Sequence, residues 1–372
     1  MSNSPVLPSD AAFMEQALTE AQKGRFWAAP NPHVGCVIVK DNEILGRGFT
    51  QPVGGAHAEI MALADCSSPE GATAYVTLEP CAHQGRTGPC VDALINAGIG
   101  RVVGALEDPN PSVSGKGYDR LRSAGVAVTQ GVCAEAAATE STGFLLRMQR
   151  GWGRVRLKLG CSLDGRTAMA SGESQWITGS LARQDVQRQR AASSAIITGI
   201  GTVLADDCSL TVRANELGFE GVELERALHR PPTRVVLDSN GRTPSGARVL
   251  SANAPTLVIT APEKLPVAHA SHRTAGVIRG GLDLRGILSG LGAEGANEIL
   301  IESGPLLAAA FLKEGLVDEL LIYQAPLLLG SSARPLADIA FSELKDGIQL
   351  AYREVSRLGP DLRIIAAVLK EN

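Results

Sequence analysis

The chain has 372 residues, 44% of them hydrophobic and 20% charged, with 41 glycines, 4% aromatic residues and a formal net charge of -4. That length exceeds the usual size of one hydrophobic core and predicts two domains. So mild an acidic balance offers no broad field to a nucleic acid or an anionic membrane, and seven scattered cysteines argue against a secreted disulfide framework.

Neither a basic, apolar leader nor a run approaching the ~18 apolar residues of a spanning helix is visible, so a soluble, cytoplasmic protein is expected. Residues 9–24 place Phe13, Ala17, Leu18 and Ala21 on one face and close on a glycine, as an amphipathic helix does. Strands are then expected at 34–39, 74–78, 101–106 and 126–129, alternating with helices at 58–64, 90–96, 118–123 and 134–147, which makes a layered α/β domain. Glycines and charges at 150–154 interrupt the pattern and divide the chain into a first domain over 1–150 and a second over 151–372. Val155, Leu157, Leu159, Cys161 and Leu163 alternate with polar or small residues at strand period. Further strands are expected at 195–198, 234–238, 256–259, 298–301 and 319–325, and helices at 180–190, 283–291 and 305–314. Residues 215–232, with mixed charges and no period, read as a surface excursion.

Chemistry concentrates first around His57-Ala58-Glu59, followed after a predicted strand by Pro80-Cys81 and then by Pro89-Cys90. One imidazole and two thiolates at helix starts would leave the fourth tetrahedral position of zinc open to water, the arrangement of a catalytic site. Zinc lowers the pKa of such a water to about 7, and Glu59 would carry protons from it to a ring nitrogen and to a departing amine. His-x-Glu, Pro-Cys and a second cysteine form the pattern of zinc nucleobase deaminases, here with eight residues between Cys81 and Cys90 where two are usual. The widened loop offers His83, Arg86 and Thr87 beside the metal, donors suited to a small phosphorylated substrate.

With Pro30-Asn31-Pro32, Val34-Gly35-Cys36-Val37-Ile38-Val39, Thr77-Leu78-Glu79-Pro80-Cys81-Ala82-His83 and Asp108-Pro109-Asn110-Pro111 added, the chain closely resembles the bifunctional riboflavin-biosynthesis enzymes. These are diaminohydroxyphosphoribosylaminopyrimidine deaminase / 5-amino-6-(5-phosphoribosylamino)uracil reductases, and the resemblance spans nearly the full length. It implies a cytidine-deaminase-like α/β/α zinc domain in which His57, Cys81 and Cys90 hold one zinc and Glu59 is the proton donor. Asn31, His83, Arg86, Thr87, Asp108 and Asn110 would surround the pyrimidine and its ribose phosphate. Gly88 stands where the family's loop usually carries proline, which should loosen that turn.

In the second half, Gly199-Ile200-Gly201-Thr202 lacks the third glycine of a Rossmann fingerprint, so a Rossmann domain is rejected. Glu302-Ser303-Gly304-Pro305 closes a strand and opens a helix whose free N–H groups favour a phosphate. Residues 158–166, 172–178, 201–207 and 302–305 look like successive motifs of the family's reductase, which implies a dihydrofolate-reductase-like α/β fold. By that resemblance Gly160, Trp176, Thr202, Asp206, Gly304, Pro305, Leu306, Leu307, Ala308, Ala309 and Ala310 contact NADP. Ser174, Arg190, Leu210, Arg213, Ser239 and Glu302 likewise contact substrate, Arg190 and Arg213 being able to hold a ribose phosphate and Trp176 to wall the nicotinamide. The implied reaction is hydride transfer from NADPH to C1 of the opened ribosylamine, with either Asp206 or Glu302 orienting or protonating the sugar. The resemblance also implies a homo-oligomer, dimer or larger, built through the reductase half.

Two other readings share the zinc motif. A polynucleotide deaminase is disfavoured by the acidic balance, and a structural zinc protein by the open coordination position beside Glu59.

Overall fold

The computed structural model describes residues 4–83, 88–110, 113–264, 266–267 and 269–369. The chain divides into two compact units, Met1–Gly151 and Trp152–Asn372, each with a sheet of its own. No helix among the described residues is long and apolar enough to cross a membrane.

The first unit runs α1 (Asp10–Gln22), β1 (Gly35–Lys40), β2 (Glu43–Phe49), α2 (Ala58–Asp65), β3 (Thr73–Val76), α3 (Cys90–Asn96), β4 (Arg101–Gly104), α4 (Lys116–Ser123), β5 (Ala127–Gln130), α5 (Ala134–Glu140) and α6 (Thr142–Arg150). Its five strands lie in the order β2-β1-β3-β4-β5, antiparallel across β2, β1 and β3 and parallel from β3 to β5. Side chains alternate across β1 as the pleat requires. Cys36 and Ile38 enter a core with Ala58, Ala62, Val91, Leu94 and Leu121, whereas Val37 and Val39 pack with Met14, Ala17 and Ala137. Helices therefore cover both faces.

Strand β2 was not expected. Asp41 and Asn42 both take positive φ, 51° and 65°, and close a two-residue hairpin that returns the chain along β1. Its glycines decide where α2 lies: a Cβ on Gly48 would stand 2.1 Å from the Ala58 carbonyl oxygen, and one on Gly46 would stand 2.3 Å from that of Ala62. The helix expected over 134–147 is two, broken at Ser141, the second running on to Arg150.

The second unit runs β6 (Arg154–Cys161), β7 (Arg166–Ala168), α7 (Ser180–Ala191), β8 (Ala195–Gly199), α8 (Ile200–Asp206), α9 (Gly221–His229), β9 (Thr233–Leu237), β10 (Thr256–Thr260), β11 (Ser271–Thr274), β12 (Val277–Ile278), β13 (Gly281–Leu282), α10 (Leu284–Ala293), β14 (Glu298–Glu302), α11 (Pro305–Lys313), β15 (Glu319–Gln324), β16 (Arg334–Pro335), β17 (Leu350–Leu358) and β18 (Asp361–Val368). Its main sheet has the order β11-β10-β9-β8-β14-β6-β15-β18-β17, parallel from β11 to β15 and closed by an antiparallel hairpin.

One face, with Val155, Leu157, Ile197, Ile299 and Ile301, meets Leu288 of α10 and Phe311 of α11; the other, with Ile196, Val236, Leu300 and Leu321, meets Ala182 and Val186 of α7. The expected surface excursion at 215–232 contains α9, whose exposed Val222 and Leu228 and single buried Ala227 leave little periodic signal.

Candidate active sites

In the first unit the β3–α3 loop and the starts of α2 and α3 converge. His57 is the N-cap of α2, in extended backbone, and Cys90 is the first residue of α3. Cys81 lies in the loop after β3. The ligand atoms of His57, Cys81 and Cys90 all fall within 4.8 Å of one another. His57 Nδ1 stands 3.6 Å from Cys81 Sγ and 3.3 Å from Cys90 Sγ, and the Cys90 N–H donates to Cys81 Sγ at 3.3 Å.

Electrostatics separates the two thiols. Hydrogen bonding from the Cys90 thiol, with help from His57, pulls Cys81 down to about 4. The Cys81 thiolate and burial in turn push Cys90 up, and the contact with Cys81 raises His57. Three soft N and S donors at bonding separation, too crowded with charge to ionise together unaided, suit a divalent cation with an affinity for thiolate.

Glu59, in the first turn of α2, is 4% exposed. Burial, and then the Cys81 thiolate, raise its carboxyl to about 7, so it can both hold and release a proton at neutral pH.

Around this centre Asp108 is buried, and its Oδ1 accepts the Asn110 N–H at 2.8 Å. Burial, and next the Glu79 charge, raise Asp108 to about 6, while His83 acts in the opposite sense. His83 is exposed and Asn31 is half-buried between α1 and β1, in a loop held by Arg147 through the Pro30 carbonyl at 2.9 Å. Arg86 and Thr87 lie outside the described residues. Gly88 is exposed, with open space among the described residues where a Cβ would sit.

The second unit holds a cavity of about 1440 Å³ at the carboxyl ends of β6, β8, β9 and β14, the edge where open parallel sheets bind ligands. Gly160, Trp176, Thr202, Asp206, Gly304, Pro305, Leu306, Leu307 and Ala310 line it, as do Ser174, Arg190, Leu210, Arg213, Ser239 and Glu302. Ala308 and Ala309 do not; they face inward on α11, at 0% and 3% exposure. Helices α8 and α11 bring their N-termini together, a Cβ on Gly304 standing 3.9 Å from Thr202 Oγ1. Neither N-cap has a side-chain partner, and Ser303 Oγ beside them is buried without a hydrogen-bond partner among the described residues. That cradle fits the phosphates of a dinucleotide.

Deeper in, Glu302 receives two hydrogen bonds from Arg190, at 2.6 and 3.0 Å, with Lys158 Nζ at 3.8 Å. Burial opposes ionisation, but Arg190 and then Lys158 overcome it and hold the Glu302 carboxyl at about 2. Burial lowers the Lys158 ammonium. Arg213 is paired with Glu216 at 2.6 Å, so both arginines expected to hold a phosphate already bind a carboxylate. Arg183 stacks on the two-thirds-exposed Trp176 ring, 4.6 Å from its centroid.

Sequence reasoning singled out neither Lys158 nor Arg183. Lys158, inside the 158–166 motif, was within reach; Arg183, on a helix rich in arginine and glutamine, carried no distinguishing signal.

Comparison with known proteins covers both units. Residues 7–106 match the cytidine and deoxycytidylate deaminase zinc-binding region, and residues 154–364 match the RibD C-terminal domain. The riboflavin biosynthesis protein RibD of Escherichia coli K12 is 48% identical over 362 residues, covering 95% of this chain and 98% of that protein. The Haemophilus influenzae protein of the same name is 42% identical over 95% of this chain and 96% of its own length.

Among solved structures, Acinetobacter baumannii RibD superposes with a TM-score of 0.89 at 44% identity, over 97% of this chain and 99% of that one. A diaminohydroxyphosphoribosylaminopyrimidine deaminase / 5-amino-6-(5-phosphoribosylamino)uracil reductase from Thermotoga maritima does so with 0.85 at 32% identity, over the same shares.

Proposed function

Because the chain belongs to the RibD family of bifunctional riboflavin-biosynthesis deaminase/reductases, we propose that its first unit deaminates 2,5-diamino-6-(5-phosphoribosylamino)pyrimidin-4(3H)-one. The second then reduces the ribosyl chain of the resulting 5-amino-6-(5-phosphoribosylamino)uracil to a ribitylamino chain. The observation that carries the first half is the convergence of His57, Cys81 and Cys90 beside a buried Glu59.

Those three residues would hold zinc, which supplies the Lewis acidity that lets water attack at neutral pH. Glu59 Oε would take a proton from the attacking water and pass it to the ring nitrogen, then take the proton of the hydroxyl so added and deliver it to the amino group, which leaves as ammonia. Asn31, His83, Asp108 and Asn110, together with Arg86 and Thr87, are assigned to the pyrimidine and its ribose phosphate.

In the reductase, bound NADPH would supply the hydride, with C1 of the opened imine as its acceptor. The paired helix N-termini and Ser303 would hold its phosphates, and Trp176 would lie against its nicotinamide. Of the two carboxyl groups expected to orient or protonate the sugar, Glu302 is bound by Arg190 and Lys158 and stays ionised, so it orients the substrate. Lys158, made more acidic by burial, is assigned the proton to the adjoining nitrogen. Arg190 and Arg213 would share their remaining N–H groups with the ribose phosphate. We read the protein as a cytoplasmic homo-oligomer, dimer or tetramer. Exposed Leu350, Tyr352 and Val355 on the outermost strand β17 support self-association.

The test is one preparation assayed for bound zinc, for ammonia release from the diaminopyrimidine phosphate, and for NADPH oxidation with the deaminated product. One zinc per chain and both turnovers are expected. Full deaminase activity after chelation, or NADH used as well as NADPH, would refute the corresponding half.

A further inference from the structure

We propose that Glu79 is the positioning residue that locks the loop bearing Cys81 to the loop bearing Asp108 and Asn110, so that metal and substrate are presented in one register. The inference rests on the deaminase reading of the first unit, in which Glu79 itself is neither a ligand nor a substrate contact.

Glu79 is 4% exposed, two residues before Cys81. Its Oε1 accepts the backbone N–H of Gly117 at 2.8 Å and of Tyr118 at 3.4 Å; its Oε2 accepts those of Gly115 at 2.9 Å and Asp108 at 3.1 Å. Three of these donors belong to the start of α4, whose N-cap is Gly115, a residue with no side chain to satisfy them. A carboxylate from a different loop therefore caps the helix, where its charge also meets the positive end of the helix dipole. The fourth donor is Asp108 itself, whose carboxylate accepts the Asn110 N–H.

Strands β3 and β4 are parallel neighbours, so the loops leaving their carboxyl ends run side by side. Glu79 joins them there. The approach is tight: a Cβ on Gly117 would stand 2.1 Å from the Pro80 carbonyl oxygen and 3.0 Å from Glu79 Oε1. Only glycine lets α4 come this close to the residue preceding Cys81.

Two substitutions in the full-length chain strain the joint from opposite sides. Glu79→Gln leaves one acceptor oxygen and turns an NH2 group toward N–H donors. Gly117→Ala inserts a methyl group against Pro80. Both are expected to raise the KM for the diaminopyrimidine phosphate about ten-fold, the equivalent of one lost charge-assisted hydrogen bond. Deaminase kcat should fall less than about three-fold, with one zinc per chain retained and NADPH turnover unchanged.

An unchanged KM in both variants overturns the proposal. So does loss of zinc from Glu79→Gln, which would make Glu79 a support of the metal site alone. Wild-type protein that binds zinc yet releases no ammonia would overturn the deaminase reading and this inference with it.

Discussion

Replacing Glu302 by glutamine should cost the second unit about 3 kcal/mol at neutral pH. The carboxyl is held at about 2 against an ordinary 4.5, and that difference, at about 1.4 kcal/mol per tenfold, is the coupling energy lost with the charge. Side chains of Glu302 and Arg190 are 9% and 11% exposed, so solvent screening takes little from this figure. It agrees with the roughly 3–5 kcal/mol lost when one partner of a buried ion pair is removed.

The pH dependence has a definite sign. Above 4.5 the carboxylate is charged in both folded and unfolded chains, and the full contribution is present. As pH falls the unfolded chain binds its proton first, so the contribution shrinks by about 1.4 kcal/mol at pH 3.5 and vanishes near 2. Urea unfolding of both proteins, followed by amide exchange in β6 and β14, measures the difference within this unit. A variant within about 0.5 kcal/mol of wild type at pH 7, or a difference that stays constant down to pH 3.5, would refute the reasoning.

Glu59→Gln should lower ammonia release by a factor of about 10² to 10⁴ with zinc and NADPH turnover retained, measured by coupled assay and metal analysis. Chelator-treated protein should lose deamination and keep reduction, and recover on adding zinc back. Gly48→Ala should push α2, with His57 and Glu59, away from β2, destabilising the first unit by about 1–3 kcal/mol and depressing deaminase activity, as thermal unfolding and turnover together would show. Arg234→Met removes a fully buried guanidinium that donates to the carbonyls of Ser209, Ser251 and Ala254. Reductase KM should rise with deamination intact, because Ser209 precedes the cavity residue Leu210, held at a φ of 49°.

Much of this could be read before any coordinates. Elements such as β1 and α7 lie within a residue of where the sequence pattern places them, and the His57, Cys81 and Cys90 cluster was legible because each of the three stands at a helix start or in a loop beside one. What escaped has physical causes. The exposed β17 and the glycine-rich β2 carry too few buried side chains to show a period. The hairpin turn was written only in Asp41-Asn42. The cap supplied by Glu79 and the neutralisation of Arg190 are contacts between residues 36 or more positions apart, which no local pattern encodes.

The placement of β6 shapes how the second unit comes into being. This strand is made first, yet in the finished sheet it lies between β14 and β15, which pair with it only after Glu298 and Glu319 have been synthesised. Its apolar residues Val155, Leu157 and Leu159 therefore wait unpaired through most of translation. The first unit, by contrast, has every strand of its sheet in hand by Gln130. A nascent chain would thus carry a finished deaminase ahead of an unfinished, aggregation-prone reductase, and truncations before β14 should survive as single-activity proteins only if the orphaned β6 is removed with the rest.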